Sequence, residues 1–158
     1  MTQDLTEGPF LFELNEFLPY RLSLLTNTIS AGIARGYRDR HAISVIEWRI
    51  MAVLGRYPGL TASEIGERTA MDKVAISRAV KSLVERRLLE RVTDRNDRRR
   101  MPLQLSSGPG RKLLEEILPL AQTYEKQLLA TLTPDEQDAL SKTLKKLQSK
   151  ANNLKPTS

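Results

Sequence analysis

The chain has 158 residues, of which 40% are apolar, 28% charged and 5% aromatic, enough for one compact module with helical extensions. Its 25 Lys and Arg against 19 Asp and Glu give a net charge of +6 and a pI near 9.8, which favours polyanionic partners. The lack of cysteine and the single histidine exclude disulfides, thiolate nucleophiles, cysteine-based zinc fingers and multi-histidine metal sites; no apolar run approaches the ~20 residues that span a bilayer.

The start, MTQDLTEGPFLFEL, lacks the basic region and small-residue cleavage site of a secretory signal. A cytoplasmic protein with no membrane association and no cofactor is therefore expected. Residues 1–9 read as a disordered N-terminus, broken by Gly8-Pro9. A long helical stretch follows at roughly 10–38, where Leu18, Leu22, Leu25, Ile29 and Ile33 fall on one face. Pro19 is expected in the first turn of its main helix, with a short separate turn before it.

A second helix opens with a capping box, Ser44 and Glu47, with Ile43 placed to staple onto Trp48 across the cap. Ile46, Ile50, Val53 and Leu54 extend its apolar face until YPGL at 57–60 ends it. A third helix, about 61–69, repeats the pattern with Thr61 and Glu64 as the box and Leu60 and Ile65 as the staple. After a turn at 70–72, Asp72 can cap a fourth helix of about 73–87 that buries Ile76, Val80 and Leu83.

From residue 88 the period changes. Leu89 and Val92, then Met101, Leu103 and Leu105, flank a polar centre, and 101–105 alternate in steps of two. Two short antiparallel strands around a tip at about 94–99 are expected. SSGPG at 106–110 ends the second strand, and Pro109 opens a fifth helix running to about 131, with a kink at Pro119. Thr133-Pro134-Asp135-Glu136 starts a sixth helix that reaches about 153. The fold class is thus mainly α with a small β-hairpin wing: a winged helix-turn-helix over 44–105, a helix and turn over 10–43, further helices over 106–154 and a tail at 155–158.

With Ile76, Val80 and Leu83 turned inward, Lys73, Ser77 and Lys81 line another face of the fourth helix, flanked by Val74 and Arg78. That mixture suits a DNA major groove: cations reach phosphates and guanine edges, serine reads either, and valine touches a thymine methyl. Ser63, on the preceding helix, belongs to the same candidate interface. A merely solvated amphipathic helix would carry the same stripe; the capped helix and tight turn before it favour the DNA reading. The hairpin carries Arg91, Arg95, Arg98, Arg99 and Arg100 against Asp94 and Asp97 only. Charge on a hairpin also deters edge-to-edge aggregation, but lysine would do that equally well, and arginine is the residue that enters narrow minor grooves. Residues 61–111 hold twelve bases and seven acids, so a third of the chain carries nearly all of the net charge, as a nucleic-acid-binding face would.

The flanking helices carry apolar seams: Leu113, Ile117, Leu120, Tyr124 and Leu128 in the fifth, and Leu140, Leu144, Leu147, Ala151 and Leu154 in the sixth. With the first helix these are more than one small domain can cover. A homodimer is expected in preference to purely intrachain packing. Two-fold symmetry would set two recognition helices about one DNA turn apart on a palindromic operator.

The stretch MDKVAISRAVKSLVERRLLER, the wing DRRRMPLQLS and the EWRIMAVL of the second helix resemble the MarR family of bacterial regulators, and the likeness runs from about 11 to 153. The resemblance implies a homodimer on palindromic DNA, with Arg99 entering a minor groove, Asp97 orienting it, and Arg98 and Arg100 on nearby phosphates. It also implies release of DNA by a small aromatic or phenolic effector bound between dimer helices and winged domain, for which Tyr20, Arg21, Tyr37, His41, Trp48 and Arg49 on the first two helices are the candidates. Trp48 is also placed for core packing, and His41 for a plain turn. In one respect the chain departs from the family: after Leu105-Ser106 the glycine, Gly110, comes one residue late, which bears on where the fifth helix starts. The lack of cysteine excludes the family's thiol-oxidation branch.

The expected function is a transcriptional regulator, a repressor released by ligand. A constitutive DNA-architectural protein and a winged-helix RNA-binding or adaptor module are the alternatives. No nucleophile–base pair or phosphate loop suggests an enzyme.

Overall fold

A computed structural model describes residues 12–154. The expected disordered start at 1–9 and the tail at 155–158 lie outside the described residues. Among the described residues the elements are a 3-10 turn at Leu14–Glu16, helices α1 (Leu18–His41), α2 (Val45–Arg56), α3 (Ala62–Thr69) and α4 (Lys73–Glu85), strands β1 (Leu89–Arg91) and β2 (Leu103–Leu105), and helices α5 (Pro109–Leu129) and α6 (Pro134–Asn153).

The helix starts follow from local chemistry. Ser44, Thr61 and Thr133 each accept the backbone N–H of a glutamate three residues on, and each glutamate accepts the cap's own N–H. Asp72 Oδ1 accepts the N–H of Ala75 at 2.9 Å. Pro19, Pro109 and Pro134 lie in first turns, where a missing N–H costs nothing. Pro119 lies inside α5, and the helix is unbroken there.

The helix ends were less legible. α1 runs to His41 rather than 38, stopping where Ala42 takes a left-handed φ of 47°. α4 stops at Glu85 rather than 87, because Arg87 is left-handed (φ 58°) and starts a Schellman turn. Leu88 N–H reaches Leu83 O at 2.9 Å and Arg87 N–H reaches Val84 O at 2.9 Å. A non-glycine residue at φ > 0 costs about 1–2 kcal/mol, offset here by burying Leu88 beside Leu83.

The strands pair Leu89 with Leu105, Glu90 with Gln104 and Arg91 with Leu103. Leu60 adds an isolated bridge to Leu103 on the other side, with Leu103 N–H on Leu60 O and Gly59 N–H on Leu103 O, both at 2.9 Å. Met101 was expected in the second strand, and Val92 in the first, but the ladder stops short of both. Pro102 has no N–H to pair, and only its carbonyl serves, accepting Val92 N–H at 2.9 Å. Met101 is left 54% exposed.

Gly110 explains the late glycine. It is buried at the start of α5, its N–H donates to Ser106 Oγ at 2.8 Å, and a Cβ there would overlap the Leu88 carbonyl. α5 therefore begins at Pro109, with the glycine in its first turn against the end of the α4–β1 link.

One apolar core runs through both the helix-turn-helix and the flanking helices: Ala34 and Tyr37 of α1, Ile50, Met51 and Leu54 of α2, Ile65, Ile76 and Leu83 of α3 and α4, Leu103 of the wing, and Leu113, Leu114 and Ile117 of α5. Leu113 and Ile117 are thus buried within the chain, contrary to their expected place in an intermolecular seam; α5 turns that end toward α1 and α2. Glu47 is the buried charged residue of the described chain. Its Oε1 accepts Ser82 Oγ–H at 2.7 Å, its Oε2 holds the α2 cap, and Arg86 lies 3.7 Å away. Arg86 also donates to the carbonyls of His41 and Ala42 at 2.8 and 3.1 Å, tying the end of α4 to the end of α1.

Candidate nucleic-acid interface

The turn between α3 and α4 leaves Lys73, Val74, Ser77, Arg78 and Lys81 exposed on one helix, with Ser63 exposed in the first turn of α3. Val74 is 57% exposed, an apolar group in water on an otherwise polar face. A recess of about 510 Å³ lies between α3, α4 and the wing, lined among others by Ser63, Ser77, Lys81, Arg91 and Arg99. It brings candidate residues of the recognition helix and of the wing to one surface. Arg91, Thr61 and Met101 line it too, outside the groove candidates drawn from the sequence; for Arg91 the strand period is the signal, since it lies two residues after Leu89 and so on the same face of β1.

The wing tip is folded by its acids. Asp94 Oδ1 accepts the backbone N–H groups of Asn96 and Asp97 at 2.8 and 3.2 Å. Asp97 Oδ1 accepts the Arg99 N–H at 2.9 Å, and Asp97 O accepts the Arg100 N–H at 3.1 Å. Asp97 was expected to orient the Arg99 side chain; it holds the Arg99 backbone instead, the usual geometry of an aspartate in a turn. Among the described residues Arg95, Arg98 and Arg99 form no ion pair, nor do Lys73 and Arg78, while Lys81 has an exposed pairing with Glu85 at 3.9 Å.

Arg100 differs from its neighbours. The resemblance implies a phosphate contact for it, but its guanidinium donates to both Glu64 carboxylate oxygens at 2.8 Å, to Asp94 Oδ2 at 3.2 Å and to Gly59 O at 3.3 Å. Glu64 is held below the usual carboxylate range first by the Thr61 N–H and then by Arg100, and Asp94 by the Asn96 and Asp97 N–H groups and then by Arg100. The two carboxylates push the Arg100 pKa up. Because both acid pKa values are depressed on folding, this cluster contributes its stability in full above their unfolded values. It loses that stability only as pH falls through the lowered folded ones.

The residues proposed from the resemblance for an effector do not converge within one chain. Tyr20 and Arg21 sit at the start of α1, roughly 25 Å along the helix from Tyr37 at 1.5 Å per residue, and Arg21 lies 3.9 Å from Glu16. Tyr37 is fully buried with its ring 6.3 Å from that of Trp48, so both serve the core. His41 Nε2 lies 3.2 Å from Glu116 Oε2 on α5, and Arg49 donates to Ser30 Oγ at 2.7 Å; these two tie helices together. A second recess, about 490 Å³, opens between α2, the wing strands and α5, where Leu54, Gln104, Arg111, Leu114 and Leu118 line it.

The Tyr37 hydroxyl is buried and finds no hydrogen-bond partner among the described residues. Burial pushes its pKa up against the opposing pull of Arg38 and Arg49. A buried unsatisfied hydroxyl costs about 1–3 kcal/mol. Tyr37→Phe is therefore expected to raise the urea-unfolding free energy, by about 1 kcal/mol; a clear loss of stability would mean that the hydroxyl is satisfied in solution.

A capped helix-turn-helix with an exposed basic second helix, next to a two-stranded wing tipped with unpaired arginines, defines a winged helix-turn-helix DNA-binding protein. The model of the MarR family matches residues 43–100, from the start of α2 to the wing tip. A probable transcriptional regulator from Pseudomonas aeruginosa is 30% identical, over 85% of this chain and 98% of that one, with a TM-score of 0.73. A MarR/EmrR family transcriptional regulator from Acinetobacter sp. ADP1 is 29% identical, over 90% of this chain and 100% of that one, with a TM-score of 0.82. Bordetella bronchiseptica BpsR, whose DNA binding is regulated by 6-hydroxynicotinic acid, shares the fold at 23% identity, over 89% and 98% of the two chains, with a TM-score of 0.74. No curated protein matches the chain. The chain belongs to the MarR family of DNA-binding transcriptional regulators, which are not enzymes. Among the described residues no helix is long and apolar enough to cross a membrane.

Proposed function

We propose that this regulator acts as a homodimeric repressor that binds a palindromic operator and releases it when a small aromatic acid binds. Residues 44–105 form the DNA-binding unit, and 10–43 with 106–154 supply the dimerisation helices. Lys73, Val74, Ser77, Arg78 and Lys81 enter the major groove. Arg99 enters the adjacent minor groove, and Ser63, Arg95 and Arg98 contact phosphates.

The observation that carries this reading is α6: a 20-residue helix with no buried residue, whose Leu140, Leu144 and Leu147 are 42%, 44% and 40% exposed. Leu120 and Leu128 of α5 and Leu18, Leu22 and Leu25 of α1 are exposed as well. A second copy covers such stripes, and its two-fold axis duplicates the recognition helix. The effector reading draws on BpsR and on the recess beside α5, where Arg111 stands among leucines. Arginine binds a carboxylate bidentately, and a ligand between winged domain and dimer helix shifts the spacing of the two recognition helices by its differential affinity for the two states.

The test is selection of duplexes of about 30 base pairs, three helical turns, from a random pool, followed by anisotropy titration with and without a panel of aromatic acids. A selected inverted repeat, released by at least one acid, is the expected result. Binding with no sequence preference and no ligand response would replace this reading with a constitutive architectural protein.

A further inference from the structure

We propose that Arg100 is a positioning residue: it braces the wing against α3 so that Arg99 is presented at a fixed height and angle, and it does not itself bind DNA. This rests on the reading of the wing as a DNA-contacting element.

The connections are continuous. Glu64 belongs to the capping box at the start of α3, and both its oxygens accept from Arg100. The same guanidinium reaches Gly59 O in the α2–α3 loop and Asp94 Oδ2 at the base of the tip. The other Asp94 oxygen folds the tip by taking the Asn96 and Asp97 N–H groups, and Asp97 in turn takes the Arg99 N–H. From α3 to the backbone of Arg99 there is thus no step without a hydrogen bond. Arg100 is the one link between wing tip and α3 in that series.

Burial and charge support the same role. The Arg100, Glu64 and Asp94 side chains are 36%, 39% and 17% exposed, so they are shielded relative to the exposed Arg98 and Arg99. Two carboxylates beside a DNA-facing wing would repel phosphates; Arg100 neutralises them where they stand. With donors on both terminal nitrogens engaged by protein oxygens, the fork that grips a phosphate is already occupied.

The two roles predict opposite signs for one substitution. Glu64→Gln keeps the capping box, since glutamine serves at that position as well, but removes a negative charge close to the interface. If Arg100 positions the wing, Glu64→Gln weakens binding to the selected duplex about tenfold and leaves binding to an unselected duplex unchanged. If Arg100 is a phosphate contact, Glu64→Gln frees it and tightens binding to both. Arg100→Gln should likewise weaken selected-duplex binding with an unchanged salt slope, because no phosphate contact is lost; a phosphate contact would lower that slope by about one. The double variant should bind no worse than the weaker single variant, since both act through one contact. Asp94→Asn, which retains the turn, provides the same test from the other end of the brace should Glu64→Gln fail to fold by circular dichroism. Tighter or unchanged binding by Glu64→Gln, or by Asp94→Asn in its place, or a reduced slope for Arg100→Gln, would overturn the proposal alone. Failure of the wild-type protein to select any duplex would overturn the function on which it rests.

Discussion

Arg99→Ala is expected to weaken binding to the selected duplex by about 10- to 100-fold, the 1–3 kcal/mol of a specific groove contact. Several features single out this arginine. Its backbone is pinned by Asp97 at 2.9 Å, its side chain has no ion-pair partner among the described residues, and it lines the recess between α3, α4 and the wing. It makes no contribution to the buried core, so the melting temperature and the sedimentation coefficient should not change. Fluorescence anisotropy at two or more salt concentrations separates its parts. A minor-groove contact loses discrimination between the selected and an unselected duplex, whereas a pure phosphate contact loses affinity equally for both. Unchanged affinity at moderate salt would remove Arg99 from the interface. Arg98→Ala, in contrast, should lower the salt slope and leave discrimination largely as it was.

Truncation before Thr133 should leave the chain folded but monomeric, abolishing the proposed dimer. α6 contributes no buried residue to the core, so its removal leaves the packing of α1 to α5 as it stands. What it takes away is the stripe of Leu140, Leu144 and Leu147, each with about 40% of its surface still open. Burying that remainder is worth about 1 kcal/mol per leucine, doubled by a two-fold axis. Sedimentation velocity at micromolar protein should show the monomer, and circular dichroism should show the loss of one helix only. Operator affinity should fall further than for any single interface variant, because two half-sites are no longer bound by one particle. A stable dimer of the truncated chain would place the interface elsewhere.

Where a local chemical signal existed, the sequence was readable. The capping boxes at Ser44, Thr61 and Thr133, the Asp72 cap and the first-turn prolines set the helix starts within a residue, because each is satisfied by atoms at most three residues away. The buried stripe of α4 and the exposed basic face opposite it followed from helical period alone. Ends were harder to read. Arg87 in a left-handed conformation has no sequence signature, since the compensation comes from Leu88 packing beside Leu83. The strand limits also depended on a partner: Pro102 and the Leu60 bridge decide which residues of the wing pair.

Side-chain roles divide the same way. Composition, period and capping by themselves determined that this chain is a winged helix-turn-helix with a basic recognition helix and an arginine-rich wing, because those features are written in neighbouring residues. Only the tertiary structure decided what each side chain does there. It buried Tyr37, Leu113 and Ile117 in the core, where a ligand or partner role is expected from the sequence, and packed Trp48 against that core, as its place in the α2 cap predicts. It gave His41 to Glu116 and Arg49 to Ser30. Among five arginines indistinguishable by type, it reserved Arg100 for Glu64, 36 residues away, and left Arg99 free. The physical reason is that a guanidinium's role is set by the nearest unneutralised oxygen, and that oxygen is brought within reach by chain folding rather than by chain order.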